Sequence, residues 1–335
     1  MFADRIALYR RLEESRNSKL LVYVTGDRQG METQIARDVI DYFVDHLDSI
    51  GITPKISLLL YTQGGNTLAA WSIINLIKQF CDDFEVIVPS KAHSSGTLMC
   101  LGANSIMMTK QATLGPIDPS VNTPLNPQVP GAGPQARIPV SVEAIKGFLE
   151  LAKNELSISD DASLSNVLIK LADMVHPLVL GEVYRARTQI QMLAERLLAN
   201  QVTDPEKVRK IISFLCSDSG SHDYTINRRE ARNELGLNII KPDDALYELI
   251  RSIFIDIKNE LQLNEPFDPN MVLGTNTRQS YTYRRVLLES ISGGCDVFVS
   301  EGFLNRVQVP VAPGMPPQDG IQDQRVFEGW RHENV

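Results

Sequence analysis

The chain has 335 residues, enough for two domains of average size or for one enlarged α/β domain. Its 33 basic and 41 acidic residues give a formal net charge of −8, which argues against a general nucleic-acid binder. Hydrophobic residues make up 43% of the chain and charged residues 22%. These are values of an ordinary globular protein, and they exclude collagen-like, largely disordered and disulfide-dense classes.

The cysteines and the N-terminal segment both indicate a reducing compartment. The four cysteines are scattered and no two form a C-x-x-C pair, so zinc and redox motifs are absent from the sequence. Isolated thiols of this kind act as small core residues. The N-terminal segment has early charges and no apolar stretch of signal-peptide length, and no apolar run is long enough to span a bilayer. We therefore expect a cytoplasmic protein.

Apolar runs alternate with amphipathic segments over the first 120 residues. Four runs predict buried strands: Leu20–Val24, Ile56–Tyr61, Phe84–Val88 and Ser105–Met108. Three segments predict helices between them: Met31–Leu47, with an apolar residue at every fourth position, Leu68–Phe80 and Ser94–Leu101. Continuous apolar runs separated by helices are typical of strands buried on both faces. The pattern therefore predicts a parallel α/β sheet with right-handed crossovers.

The pattern changes after residue 120. Residues 122–139 hold five prolines and two glycines, which predicts a loop or flap. Capping residues and apolar spacing then predict a series of helices, starting after Ser141 and ending with 243–261. Two apolar segments flank Gly293-Gly294 and predict a β-hairpin. The proline-rich residues from 311 onward predict a loose tail.

Two turns directly follow predicted strands. The first, Tyr61–Asn66, contains Gly64-Gly65, and glycines at the carboxyl end of a strand allow backbone amides to face a crevice. The second, Lys91–Thr97, contains two serines and opens a helix. Each is compatible with a plain tight turn or helix cap. Together they can also present a serine hydroxyl next to amides that stabilise an oxyanion.

The order of these elements resembles the Clp-peptidase and crotonase superfamily. Ala92-His-Ser-Ser-Gly96 resembles the nucleophile segment of Clp peptidases and of signal peptide peptidase A, and Thr62-Gln-Gly-Gly65 resembles their oxyanion segment. The resemblance implies that Ser94 is the nucleophile and that the backbone amides of Gly64 and Ser95 form the oxyanion hole. It also makes Gly65 and Asn66 candidates for substrate binding.

Two later segments resemble a narrower group, the serine dehydrogenase proteinase family. Leu114-Gly-Pro-Ile-Asp-Pro119 has Asp118 where Clp peptidases have histidine, and 221–231 has His222-Asp223 where they have aspartate. That family has a triad in the altered order Ser, Asp, His. The resemblance implies that His222 is the general base and that Asp118 orients it, with Asp223 as a rival carboxylate.

Two further groups remain as alternative bases. His93 adjoins Ser94, although neighbouring side chains normally point apart. Lys146 could form a serine–lysine dyad of the kind found in signal peptide peptidases, but its segment lacks their local motif.

The resemblance predicts an α/β fold: a Clp/crotonase-like core with a parallel sheet and flanking helices, plus a helical insert and a C-terminal α+β extension. The expected boundaries are 1–240 for the core, including a flap and helical insert at 122–200, then 241–310 for a helix and hairpin extension and 311–335 for a flexible tail.

The expected function is that of a cytoplasmic serine endopeptidase acting on peptides or unfolded proteins. It needs no cofactor or metal, contacts neither nucleic acid nor membrane, and forms a homo-oligomer. The chain contains no Walker motif, so any ATPase would be a separate partner. Two alternatives are a catalytically inactive interaction and oligomerisation module, and a crotonase-like acyl-CoA enzyme.

Overall fold

The computed structural model describes residues 1–117, 119–133, 135–218, 221, 223–309 and 317–333. The chain divides into two compact units. The first comprises Met1–Leu114 and Asn227–Val335, and the second is Gly115–Ile226. This division differs from the expected one, in which the core ended at residue 240, because the C-terminal strands join the N-terminal sheet.

The described α-helices are numbered in chain order. They are Phe2–Arg16 (α1), Ile40–Ile50 (α2), Thr67–Ile77 (α3), Ser95–Leu101 (α4), Val142–Glu150 (α5), Asp161–Met174 (α6), Pro177–Leu198 (α7), Pro205–Ser213 (α8), Arg228–Asn233 (α9), Asp244–Glu260 (α10) and Pro269–Leu273 (α11). Short π-helical turns follow α5 and α8.

The described strands are numbered in the same way. They are Lys19–Thr25 (β1), Thr53–Tyr61 (β2), Cys81–Val88 (β3), Lys91–Ala92 (β4), Ser105–Met108 (β5), Thr113–Leu114 (β6), Ser120–Val121 (β7), Val140–Ser141 (β8), Ile226–Asn227 (β9), Ile239–Ile240 (β10), Arg278–Ser290 (β11), Gly294–Val309 (β12) and Gln318–Glu333 (β13).

An eight-stranded sheet forms the centre of the first unit, in the order β10-β5-β3-β2-β1-β11-β12-β13. The strands from β10 to β1 run parallel, and β11, β12 and β13 add to them in antiparallel fashion. The four predicted strands lie in β1, β2, β3 and β5. Their last residues are buried, as expected for strands covered on both faces. The predicted α/β class with a parallel sheet is confirmed.

The segment from Met31 to Leu47 differs from the prediction of one continuous helix. The α-helix begins only at Ile40, after a 3₁₀ turn at Arg37–Val39. Met31 and Ile35 are buried within a loop. Their regular spacing reflects burial by other parts of the first unit, which a periodic pattern cannot distinguish from burial along one helix face.

The C-terminal strands are longer than the sequence predicted. The hairpin around Gly293-Gly294 is present, but its arms extend over the whole of β11 and β12. Residues 318–333, expected to belong to a loose tail, form the edge strand β13, which pairs with β12 from Cys295 to Val309. Most of its side chains are exposed, so the strand is held by backbone pairing with β12. Its sequence therefore lacks the apolar pattern from which a strand could be predicted.

The second unit is mainly helical. The predicted flap at 122–139 contains turns and one isolated bridge, Gln128↔Arg137, in its described residues. A small core packs β7 and β8 against α5 and α7, whereas α6 buries none of its residues. No single helix in the described segments is long and apolar enough to cross a membrane. The pair α6 and α7, bent by 104°, meets that criterion jointly, by length and composition only.

The four cysteines are Cys81, Cys100, Cys216 and Cys295. Three of them are buried, and burial raises the pKa of the half-buried Cys81 to about 11. They behave as the small core residues that the sequence indicated.

Candidate active site

Ser94 occupies a strained turn between β4 and α4. Its backbone angles are φ 51° and ψ −118°, a combination outside the ordinary left-handed region and costly for a residue with a side chain. Its carbonyl accepts the first helical hydrogen bond, from the amide of Leu98 at 3.1 Å, but its hydroxyl does not cap the helix. The side chain is half-buried. A sharp strand-to-helix turn of this kind presents a nucleophilic hydroxyl at its apex.

Ser95, the neighbouring serine, is only 1% exposed. Its hydroxyl is buried and has no hydrogen-bond partner among the described residues. All seven residues of α4 are buried, so this helix anchors the turn in the core of the first unit. Of the two adjacent hydroxyls, only that of Ser94 is placed where a substrate can reach it.

The Gly64-Gly65 turn lies directly against Ser94. A Cβ atom on Gly64 would come within 2.7 Å of Ser94 Cβ and 3.2 Å of Ser94 Oγ, and the φ of Gly64 is +108°. Gly65, with φ +144°, has no space for a Cβ either, because the backbone of Ile35 occupies that position. Both glycines are required by close backbone approach.

The two glycine amides differ in their bonding. The Gly64 N–H donates to Thr62 Oγ1 at 2.9 Å. No acceptor is found for the Gly65 N–H or the Ser95 N–H in the described part of the chain. The sequence assigned the oxyanion role to Gly64, but its proton is already engaged in this conformation.

Thr62 connects the glycine turn to the nucleophile turn. Its amide donates to the carbonyl of Lys91 at 3.2 Å, and its carbonyl accepts from the amide of His93 at 3.1 Å. Its hydroxyl also lies 2.7 Å from the hydroxyl of Thr25, at the end of β1. Its methyl group packs where Gly96 lacks a side chain. One residue therefore fixes the spacing of both turns.

The Asp27 carboxylate contacts three polar side chains at the same edge of the sheet. Its carboxylate pairs with Lys91, accepts from the Tyr61 hydroxyl at 2.7 Å and accepts from the Gln63 amide at 3.2 Å. Burial raises its pKa, but these donors outweigh burial and hold the pKa of Asp27 below its usual value. Asp27 was not among the site residues predicted from the sequence. Its position after a buried strand was the available signal, because ends of parallel strands meet at one edge.

The other predicted site residues do not all lie in one place. One is in the first unit, one is in the second unit, and two lie outside the described residues. Asn66 caps α3 by accepting from the Ala69 amide at 2.8 Å. Asp118 and His222, the predicted orienting acid and general base, lie outside the described residues. Asp223 is exposed in a turn of the second unit, where its backbone amide donates to Ser221 Oγ at 3.2 Å.

The two alternative bases both have partners. His93 Nε2 lies 2.9 Å from Thr113 Oγ1, in the first unit. Lys146, in the second unit, pairs with Glu143 and Glu150 on its own helix. Of the site residues predicted from the sequence, the structure brings together Ser94, Ser95, Gly64 and Gly65.

Comparisons with known proteins find one matching family model and two similar proteins in sequence searches. A sequence model described as ClpP-like SDH-type serine proteinase matches residues 1–130. Two uncharacterized proteins of Methanocaldococcus jannaschii are similar over most of the chain. MJ0137 is 30% identical over 243 residues, covering 70% of this chain and 73% of its own. MJ1495 is 26% identical over 255 residues, covering 73% and 75%.

Two solved structures show a weaker likeness, each with 16% identity. The 1510-N membrane-bound stomatin-specific protease, in complex with a substrate peptide, matches with a TM-score of 0.38 over 68% of this chain and 78% of its own. ClpP1 from Listeria monocytogenes matches with a TM-score of 0.37 over 71% and 99%. The family model and the 30% identity to MJ0137 carry the assignment: the chain belongs to the ClpP-like SDH-type serine proteinase family.

Proposed function

We propose that this protein is a serine endopeptidase that forms an acyl-enzyme at Ser94. The observation that carries the proposal is the strained backbone of Ser94 with Gly64 directly against its side chain. Strain of this size persists only where the surroundings enforce it, and it clusters at active sites. Family membership supports a serine protease in general terms.

The chemistry requires a base for the serine proton. The Ser94 hydroxyl attacks the scissile carbonyl while a neutral histidine takes its proton, and the same imidazolium then protonates the leaving amine. We assign the base to His222 and the orienting carboxylate to Asp118, on the motifs that these residues share with the family. Water then hydrolyses the ester and regenerates Ser94.

The oxyanion of the tetrahedral intermediate needs amide donors without another acceptor. Ser95 and Gly65 meet this condition in the described residues, whereas the Gly64 amide is held by Thr62. We therefore propose the amides of Ser95 and Gly65 as the oxyanion hole, with Gly64 providing the close approach. The proposed substrates are peptides or unfolded proteins. A homo-oligomer, a separate ATPase partner and a cytoplasmic location are parts of the same proposal.

A fluorophosphonate probe tests the nucleophile. We expect one equivalent to label the full chain, Ser94→Ala to abolish labelling, and Ser95→Ala to retain it. Ser95→Ala is a matched control, since its buried hydroxyl has no partner to lose among the described residues. Labelling that survives Ser94→Ala, read by intact mass, contradicts the assignment.

The triad is tested by peptide hydrolysis. His222→Ala is expected to lower kcat by about 10³-fold or more. Asp118→Asn should cost far more activity than Asp223→Asn. The reverse order would assign the orienting role to Asp223.

A further inference from the structure

One cavity of the first unit, about 370 Å³, has aromatic walls. Phe298 of β12 and Trp330 of β13 are half-buried residues of its lining, and Tyr23 of β1, also in the lining, is only 1% exposed. The Trp330 ring stacks on Tyr42 at 4.9 Å and meets Phe298 edge-on at 5.8 Å, so the rings hold one another in place. The volume is in the range of small-ligand sites.

The cavity is negatively charged. Three carboxylates line it, those of Glu32, Asp38 and Glu328, against the single guanidinium of Arg285. Arg285 already pairs with Glu328. Glu32 and Asp38 form no ion pair with a cation in the described segments, although Asp38 accepts from the Trp330 indole at 2.9 Å. The Glu32 carboxylate accepts from the Gly30 amide at 2.9 Å, and the lining as a whole holds three acidic residues against one basic residue.

We propose that this cavity binds an organic cation, either a small quaternary ammonium compound or the side chain of a basic residue in a peptide. Aromatic faces attract such cations, and the attraction grows when water is displaced. The excess of acidic over basic residues in the lining adds to this attraction, whereas a neutral group of equal shape gains only the apolar contact.

The cavity wall is linked to the glycine turn. Glu32, Thr33, Gln34 and Ala36 form part of the wall. Ile35 lies between them in the chain, and its amide donates to the Gly64 carbonyl at 2.8 Å. The Ile35 carbonyl accepts from the Asn66 amide at 2.7 Å. A cation that orders this segment therefore orders the turn beside Ser94. This link to catalysis rests on the proposed function, but the binding itself does not.

Intrinsic fluorescence of the full chain tests the binding, because Trp330 is one of two tryptophans. The ligand pair is choline and its neutral isostere 3,3-dimethylbutan-1-ol. We expect a saturable change with choline and an affinity at least about tenfold weaker for the alcohol. A second pair, acetyl-Gly-Lys-Gly-amide and its norleucine analogue, distinguishes a peptide side chain from a free ammonium compound.

Isosteric variants locate the site. Glu32→Gln combined with Asp38→Asn should weaken binding of the cation about tenfold, and the amide oxygen introduced at position 38 can still accept from Trp330. Asp48→Asn, on the same helix as Tyr42 but outside the cavity lining, should leave affinity unchanged. Calorimetry repeats the comparison without the fluorescence signal. Equal affinity for the cation and its isostere, or no effect of the double variant, overturns the proposal. Failure of Ser94 labelling overturns the proposed function alone.

Discussion

Helices α4 and α6 show how differently the two units use apolar residues. All seven residues of α4 are buried, whereas α6 has 14 residues and buries none. Leu168 and Ile169 of α6 are 52% and 56% exposed. In the first unit an apolar pattern therefore marks packing in the core. In the second unit the apolar residues of α6 are exposed or half-buried, although α7 of the same unit buries seven of its residues.

The largest effect is expected at the glycine turn. Gly64→Ala places a methyl group 2.7 Å from Ser94 Cβ, which forces the two turns apart, and should slow fluorophosphonate labelling by about 10²-fold, as a misplacement of about 1 Å does. Gly181→Ala in α7 is the matched control. Nothing lies within 4 Å of its added Cβ, so it should leave labelling unchanged and stabilise the protein by about 1 kcal/mol. Equal rates for Gly64→Ala and wild type would contradict the close approach of the two turns.

The contrast between the helices is tested by truncation. Leu98→Ala in α4 should cost about 2–5 kcal/mol of unfolding free energy, because Leu98 is fully buried. Ile169→Ala in α6 should change it by less than about 0.5 kcal/mol. Urea denaturation measures both. A large cost for Ile169→Ala would mean that the α6 face is covered in solution.

A smaller effect is expected from the hydroxyl of Thr62. Thr62→Val keeps the side-chain shape and removes the acceptor of the Gly64 amide, so labelling should slow about tenfold. Thr25→Val removes the same hydroxyl pair but leaves the Gly64 bond intact, and it should slow labelling less. Faster labelling in Thr62→Val would instead assign the Gly64 amide to the oxyanion hole.

The smallest effect concerns acid stability. The lowered pKa of Asp27 means that its stabilising contribution is complete above about pH 4, the range of an unfolded aspartate, and is lost as pH falls through the folded pKa. We expect the urea midpoint to fall less between pH 5 and pH 3 in Asp27→Asn than in wild type. If the urea midpoint falls equally with pH in the two proteins, Asp27 does not contribute to the pH dependence of stability.

Burial on both faces made the central strands readable from sequence. The apolar runs in β1, β2, β3 and β5 predicted the sheet because a strand covered on both faces needs apolar side chains at successive positions. The polar strand β13 left no such signal, since its place is fixed by pairing with β12.

Only part of the candidate site could be predicted from the sequence. Motif order predicted Ser94 and the glycine turn, and the structure places them together. The bond from Gly64 to Thr62 and the cluster around Asp27 depend on exact distances, which spacing does not encode. Asp118 and His222 stay predictions.

The position of β1 has a consequence for synthesis of the protein. This strand lies between β2 and β11, and its Val22 pairs with Glu289 across the sheet. A ribosome that has released only the first half of the chain has therefore produced β1 with one side unpaired. That open edge must wait until β11 has been made, a period in which a chaperone or a second nascent chain can reach it.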